Sequence, residues 1–418
     1  MNIVLGIVVG LFVLMFLIVS HEFGHFLAAR RNGVTVKEFG IGFPPRLKAW
    51  LRVEDKKTGK KSWKKLEKKD WDKDQKSLVF TINALPIGGF CAMDGESDAD
   101  ERPGTFGAAS YWQKTKILFA GVTMNWLVAF LILTVLCWTG LPTLLNNQFS
   151  IKSDERVEII EPVVVSEVLE GSPAEAAEFQ PGDQILAVST QEITDNSAVT
   201  FVSTSDDVIN FNNAHPGETV YYLVISTAWP DVSGAPKVIP VTLNSEGSKY
   251  LLGVIMNYGE VKHHYTWSAP VVAAGLTVQL TGETYKGLWN LLVNLVTGAA
   301  RQVNLDKSVR EEGLEQISEA TEGVSGIVGI IGGYFPNIVS KGPTYTLVLA
   351  AIISVSLACM NVLPIPALDG GRWLMITLAR LKHKKLSQET EQRVVARAFV
   401  FLLILMAIIT VMDIVRLF

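Results

Sequence analysis

Residues 3–31 read IVLGIVVGLFVLMFLIVSHEFGHFLAARR, with no charge before Glu22 and Arg30-Arg31 closing the run. A helix needs about 20 apolar residues to cross a bilayer, so this stretch is long enough. It lacks a basic leader, and an arginine pair stands where a cleaved signal would carry small residues. The reading is a retained span. Inside it lies His21-Glu22-Phe23-Gly24-His25, the pattern H-E-x-x-H. Residues i and i+4 share a helix face, so both imidazoles can ligate one metal ion, with Glu22 next to them and in reach of a metal-bound water. Ionisable groups inside a span are expensive and mark function. His21 precedes Arg30 by about 13 Å at 1.5 Å per residue, which sets the site inside the leaflet that holds Arg30.

Catalytic zinc takes three protein ligands plus water. The third is expected at Asp369, in the stretch NVLPIPALDGG over 361–371. That stretch ends another apolar run at the same predicted depth, and Pro364 and Pro366 break the helix so that the chain can turn toward the metal. His215, His263, His264 and His383 show no such spacing and are expected not to ligate.

Further apolar runs cover 117–145, 345–363 and 398–412. The segment from Arg46 to Lys76 is densely basic, including Lys56, Lys57, Lys60, Lys61, Lys64, Lys65, Lys68 and Lys69. Arg380, Lys382, Lys384, Lys385 and Arg393 form a second basic segment, whereas 146–258 is acid-rich. The positive-inside rule places the basic segments in the cytoplasm and the acidic one outside, which four spans satisfy with both termini outside.

The chain has 418 residues, 49% hydrophobic and 19% charged, with a mean hydropathy of +0.29. Soluble domains carry about 25% charged residues, so a plain soluble enzyme and a disordered chain are both disfavoured. A formal net charge of −4 gives no global basic field for nucleic acid. Cys91, Cys137 and Cys359 are too far apart for a zinc ribbon. A transporter would show inverted repeats, which are not seen.

Between the first two spans, Gly40, Gly42, Pro44-Pro45 and Gly88-Gly89 punctuate β-branched runs, predicting small β-hairpins beside the membrane. Within 157–258, residues 157–168 read as strand. Ser172 and Pro173 read as N-cap and first residue of a helix. Pro181-Gly182-Asp183 is a turn, and strands follow at 184–188, 219–227 and 236–243. The order of Gly171-Ser172-Pro173-Ala174 and Pro181-Gly182-Asp183-Gln184 resembles PDZ domains of the bacterial protease type, which implies binding of extended peptide segments by strand addition. Residues 268–320 read as helical, with 271–300 apolar enough for the membrane interface.

H-E-x-x-H in the first span, with N-x-x-P-x-x-x-L-D-G in a later one, resembles the site-2 protease family of intramembrane zinc metalloproteases, in the RseP-like branch with a single PDZ domain. The resemblance implies Zn2+ held by His21, His25 and Asp369, with Glu22 as catalytic acid/base. Asn361, Gly88 and Gly89 match substrate-binding positions. It implies cleavage of transmembrane segments of single-pass membrane proteins, such as trimmed anti-sigma factors or remnant signal peptides, in the bacterial inner membrane. The active site would lie near the cytoplasmic leaflet and the PDZ domain outside. Two departures stand out. Val122 in Gly121-Val122-Thr123-Met124-Asn125, and Ile327 in Gly326-Ile327-Val328-Gly329, occupy positions where the family has proline.

The expected fold is therefore a polytopic α-helical membrane protein with four transmembrane helices, a membrane-associated β-hairpin region and an inserted extracytoplasmic PDZ-like domain. Its expected divisions are 1–33 (first span), 34–93 (hairpins), 94–150 (linker and second span) and 151–260 (PDZ-like). They continue with 261–342 (interfacial helices), 343–382 (third span and following helix) and 383–418 (loop and fourth span). Expected partners are the lipid bilayer, membrane-protein substrates and peptide segments, with no nucleic acid.

Overall fold

A computed structural model describes residues 3–54, 61–71, 77–98, 100–194, 197–226, 236–257, 259–302, 306–322, 326–383 and 387–417. Lys56, Lys57, Lys60, Lys76, Lys384 and Lys385, used above for orientation, lie outside them. The chain forms two compact units, one of residues 1–136 with 270–418, the other of 137–269.

The first unit begins with helix α1 (Ile3–Arg31), which ends as Asn32 donates its side-chain amide to the Ala28 carbonyl at 2.8 Å. Strands β1 (Val36–Glu54), β2 (Lys61–Lys65) and β3 (Val79–Met93) then build one sheet in the order β2-β1-β3. This corrects the expected small hairpins, because β1 and β3 are long, bent strands. Gly42, at φ +75°, supplies the left-handed backbone of the β1 bend. The first half of β1 is registered against both stretches of β3: Phe39 pairs with Cys91 and with Phe80. Its second half pairs Trp50 with Phe80. The stretch 89–93 thus has a β1 neighbour on one side and no second strand among the described residues.

Helix α2 (Tyr111–Thr139) starts earlier than expected and stops short of Leu145. Gly140 at φ +116° breaks it, and Leu141–Pro142 becomes strand β4.

In the second unit, β5 (Arg156–Glu161) and β6 (Val163–Val168) replace the single predicted strand. Pro162, which has no N–H to pair, separates them, and they belong to different sheets. Helix α3 (Pro173–Ala176) has Ser172 as N-cap, its hydroxyl accepting from Glu175 N at 3.1 Å. Strands β7 (Gln184–Ser189) and β8 (Thr200–Phe201), helix α4 (Ser205–Ala214), and strands β9 (Thr219–Ile225), β10 (Lys237–Thr242), β11 (Val254–Met256) and β12 (Glu260–His264) complete the unit. The main sheet runs β10-β9-β7-β6-β11; a second runs β4-β12-β5. Alternate residues of β9 (Val220, Tyr222, Val224) enter a core with Val163, Val165 and Ile185. The buried Tyr222 hydroxyl donates to Asn212 Oδ1 at 2.7 Å, so that hydroxyl is paired inside the core.

The chain returns to the first unit through α5 (Ala269–Arg301) and α6 (Lys307–Glu322). Helix α7 (Ile327–Gly329) passes through a π-turn at Ile330–Tyr334 into α8 (Phe335–Ser340). Helices α9 (Pro343–Val362), α10 (Asp369–Leu381) and α11 (Gln388–Leu417) follow. Among the described residues, four helices are long and apolar enough to cross a membrane: α1, α2, α9 and residues 388–411 of α11. A Cβ at Gly6 or Gly10 would collide with Pro336 or Phe335, so small residues let α1 and α8 pack closely. Buried Asp413 accepts from Gly326 N (3.0 Å) and Gly329 N (2.8 Å), satisfying otherwise orphaned donors at the start of α7.

Candidate metal centre

His21 and His25 project from one face of α1, as the i, i+4 spacing requires. Their Nε2 atoms lie 3.1 Å apart. Asp369 Oδ2 lies 3.1 Å from His21 Nε2 and 3.3 Å from His25 Nε2. Both histidines are buried and the carboxylate is largely so. Tetrahedral zinc with N and O bonds of 2.0–2.1 Å sets neighbouring ligand atoms about 3.3–3.4 Å apart. The triangle matches one face of such a tetrahedron closely, so the donor set fits zinc in size, charge and type. Among the described residues this is the one cluster of three metal-ligating groups.

Local chemistry brings Asp369 there. Helix α9 stops at Val362, two residues before Pro364, and α10 begins at Asp369 itself. A Cβ at Gly370 would strike the Val362 carbonyl, and one at Gly371 the Ile365 carbonyl. Only glycine lets the first turn of α10 tuck under the end of α9. Asp369 also stands in that first turn, where a helix N-terminus favours a negative charge.

The remaining ring nitrogens are engaged from α2. His25 Nδ1–H donates to the Ile117 carbonyl at 2.8 Å. That fixes the tautomer with a free Nε2 lone pair, as metal-ligating histidines require. The Asn125 side-chain amide lies 3.4 Å from His21 Nδ1, while Asn125 Oδ1 is buried without a partner. Turning the amide over would offer Oδ1 to a His21 Nδ1–H and free Nε2 in the same way. A Cβ at Gly121 would come within 2.5 Å of His25 Nε2 and 2.6 Å of His21 Cε1. Gly121 and Asn125 were read from sequence only as a motif lacking its proline. Their own i, i+4 spacing was the signal that both face the imidazoles.

Glu22 lines the same cavity, of about 240 Å³, as do Asn361 and Cys91. The Asn361 amide donates to the Leu357 carbonyl at 3.0 Å. Burial pushes the Cys91 thiol up, with Glu22 and Glu96 adding to the effect. It is therefore an inert wall, not a thiolate. Gly88 and Gly89 do not line this cavity. A Cβ on Gly89 would press on the Gly40 carbonyl and Val19, and one on Gly88 on Phe43 and Ile18. They bring β3 against α1, and the strand then delivers Cys91 and Met93 to the cavity. A larger cleft of about 720 Å³ adjoins it and shares Asp369 and Arg372. Arg372 pairs with Glu391 at 3.5 Å, and Glu391 accepts from Asp98 N at 3.0 Å. The sequence alone did not single out either residue.

His263 and His264, expected not to ligate, lie on β12, where successive side chains take opposite faces. His215 Nδ1 bonds the Phe211 carbonyl, and the cluster's three members are His21, His25 and Asp369.

The sequence profile of peptidase family M50 matches residues 9–58 and 65–406. The protein of Agrobacterium fabrum named "Putative zinc metalloprotease Atu1380" is 26% identical over 433 residues, covering 98% of this chain and 95% of that one. Zinc metalloprotease RasP of Bacillus licheniformis is 24% identical over 494 residues, covering 97% and 98%.

Proposed function

Because this chain belongs to peptidase family M50, the site-2 protease family of zinc metalloproteases, we propose that it hydrolyses a peptide bond within transmembrane segments of single-pass membrane proteins. The observation that carries this is the buried triangle of His21, His25 and Asp369 between helices long enough to span a bilayer. In this reading these three residues hold the zinc. Bound zinc supplies a Lewis acid that activates water and polarises the scissile carbonyl.

Glu22 takes a proton from the attacking water as the C–O bond forms. It returns that proton to the amide nitrogen as the C–N bond breaks. In this reading Asn361, on the cavity wall, bonds the substrate backbone. A helical substrate hides its carbonyls in its own hydrogen bonds, and no backbone group stays unpaired in lipid. The stretch 89–93, which carries cavity residues and has one unpaired side, supports strand addition as the way to hold an unwound segment.

The second unit, with five strands in the order β10-β9-β7-β6-β11 and helix α4, supports the PDZ-like reading, in which it screens extended extracytoplasmic segments. In this reading the active site lies near the cytoplasmic leaflet of a bacterial inner membrane, which the basic segments support through the positive-inside rule. Anti-sigma factors and remnant signal peptides fit as substrates because each offers one short-tailed span.

The test is cleavage of a trimmed single-span substrate in detergent, with zinc assayed in parallel. Wild type should cleave, Glu22→Gln should keep zinc and lose cleavage, and His21→Ala should lose both. Cleavage that survives Glu22→Gln would overturn the assignment of the acid/base.

A further inference from the structure

We propose, resting on the proteolytic reading above, that the Glu96 carboxylate holds the place of a substrate main-chain carbonyl at the open edge of β3, and that a substrate binds by displacing it.

Two hydrogen bonds give the direction of that edge. Asp94 N donates to the Thr35 carbonyl at 2.8 Å, on the side where β1 lies. Backbone N–H groups of a strand alternate between its two sides. Met93 N–H therefore faces away from β1, as does Cys91 N–H two residues earlier. There it donates to Glu96 Oε1 at 3.0 Å.

A turn brings that carboxylate back to the strand. The Asp94 carbonyl accepts from Phe106 N at 2.9 Å, and the Gly95 carbonyl from Gly107 N at 3.0 Å. Gly95 takes φ +55°, and a Cβ there would come within 2.4 Å of Asp100 Oδ2. The chain reverses at this glycine, so Glu96 lies beside the strand it has just left. The Glu96 carbonyl accepts from the Arg372 guanidinium. Arg372 pairs with buried Glu391, which also accepts from Ser97 Oγ at 3.3 Å and from Asp98 N at 3.0 Å. Helices α10 and α11 thus hold the backbone of the turn, while Glu96 itself is exposed.

The surroundings make this more than the end of a strand. Met93 and Glu96 line the metal cavity together with His21, Glu22 and Asp369. A segment added along 89–93 needs Met93 N–H as the donor for one of its carbonyls, and meets Glu96 in that position. Open strand edges invite unwanted pairing, and charged side chains guard them. A side chain can leave where a paired strand could not. Glu96 also lines the adjoining cleft of about 720 Å³, which gives it room to move. The exchange replaces one acceptor by another, so the buried donor is never left unpaired.

The experiment measures binding rather than turnover. The full zinc-loaded chain carrying Glu22→Gln is titrated in detergent with a fluorescent synthetic peptide that has one leucine- and alanine-rich span of about 20 residues. Adding Glu96→Ala removes the competitor and should tighten the Kd about tenfold, the scale of one hydrogen bond to a charged group. Glu96→Gln keeps a neutral acceptor and should tighten it less. A residue that merely stabilised the turn would weaken binding when removed, and unchanged zinc content checks the fold of each variant. Hydrogen exchange of the segment holding Cys91 and Met93 gives a second readout. Glu96→Ala should speed it, and bound peptide should slow it again. Equal or weaker binding by the Glu96→Ala protein would overturn the proposal. So would bound peptide that leaves exchange of 89–93 unchanged. Binding by none of the proteins, Glu22→Gln alone included, would instead bring down the proteolytic reading and this proposal with it.

Discussion

His21 and His25 stand four residues apart on α1; His263 and His264 stand side by side on β12. Both pairs meet carboxylates, with different results. On the helix, both Nε2 atoms point to one place, and Asp369, 348 residues beyond His21, completes a triangle. On the strand, each histidine takes its own partner. His263 Nδ1 lies 2.9 Å from Glu155, and its Nε2 3.0 Å from the Thr143 hydroxyl. His264 Nε2 lies 2.9 Å from Glu158. Burial lowers the pKa of His263, against the pull of Glu155. The Glu155 carboxyl is held below its ordinary value despite partial burial, because Lys152 and Tyr265 donate to it. That pair is a neutral imidazole on a carboxylate, and both ring nitrogens are in use. Convergence on a common point, with lone pairs left over, separates the candidate metal centre from a structural clasp.

Four experiments break or sharpen this contrast. The largest effect is expected from the centre itself. Removing zinc with a chelator, or replacing Asp369 by Asn, should abolish cleavage, and zinc should restore only the chelated wild type. Glu22→Gln should lower kcat by about 10²–10⁴-fold with zinc retained. His263→Ala should leave zinc at one per chain; a fall to none would erase the contrast.

Next is Gly121→Ala, whose new Cβ would crowd both imidazoles. Zinc affinity should drop about 10–100-fold, as for other groups that orient metal ligands. Competition with a fluorescent chelator measures it, and unchanged affinity would show that α2 does not set the histidine positions.

In the second unit, Ser172→Ala removes the cap of α3 and should cost about 1 kcal/mol of that unit's stability. Zinc content and affinity should stay as in wild type.

The smallest effect concerns acid. Ser268 and Thr266, through hydroxyls and backbone N–H groups, hold the Asp154 carboxyl well below the usual range. A depressed folded pKa contributes stability that is complete above the unfolded value of about 4 and is lost as pH falls through the folded one. Thermal unfolding of the second unit should therefore worsen below about pH 4. Asp154→Asn should remove that part of the acid limb; an identical pH profile in the variant would show that the carboxylate contributes nothing there.

Much of the site was legible because its rules are local. A 3.6-residue repeat puts residues i and i+4 on one face whatever surrounds them, so His21 and His25 could be paired from sequence alone. Apolar length reports a span without knowledge of its neighbours, and all four predicted spans have a matching helix. Errors fell where local signals end. The second span overran because Gly140, in an apolar stretch, stops a helix only through its left-handed backbone. The hairpins were underestimated because the pairing of Phe39 with both Phe80 and Cys91 depends on contacts more than 40 residues apart.

The sequence by itself determined the chemistry available: two imidazoles on one helical face, a carboxylate after a proline-broken helix, and enough apolar length to bury them. Only the tertiary structure decided that Asp369 closes the triangle and that Gly121 and Asn125 abut the imidazoles. Those are meetings between segments remote along the chain, and no local periodicity encodes them. They follow from how close glycine lets helices approach, and from the need to pair every buried polar group.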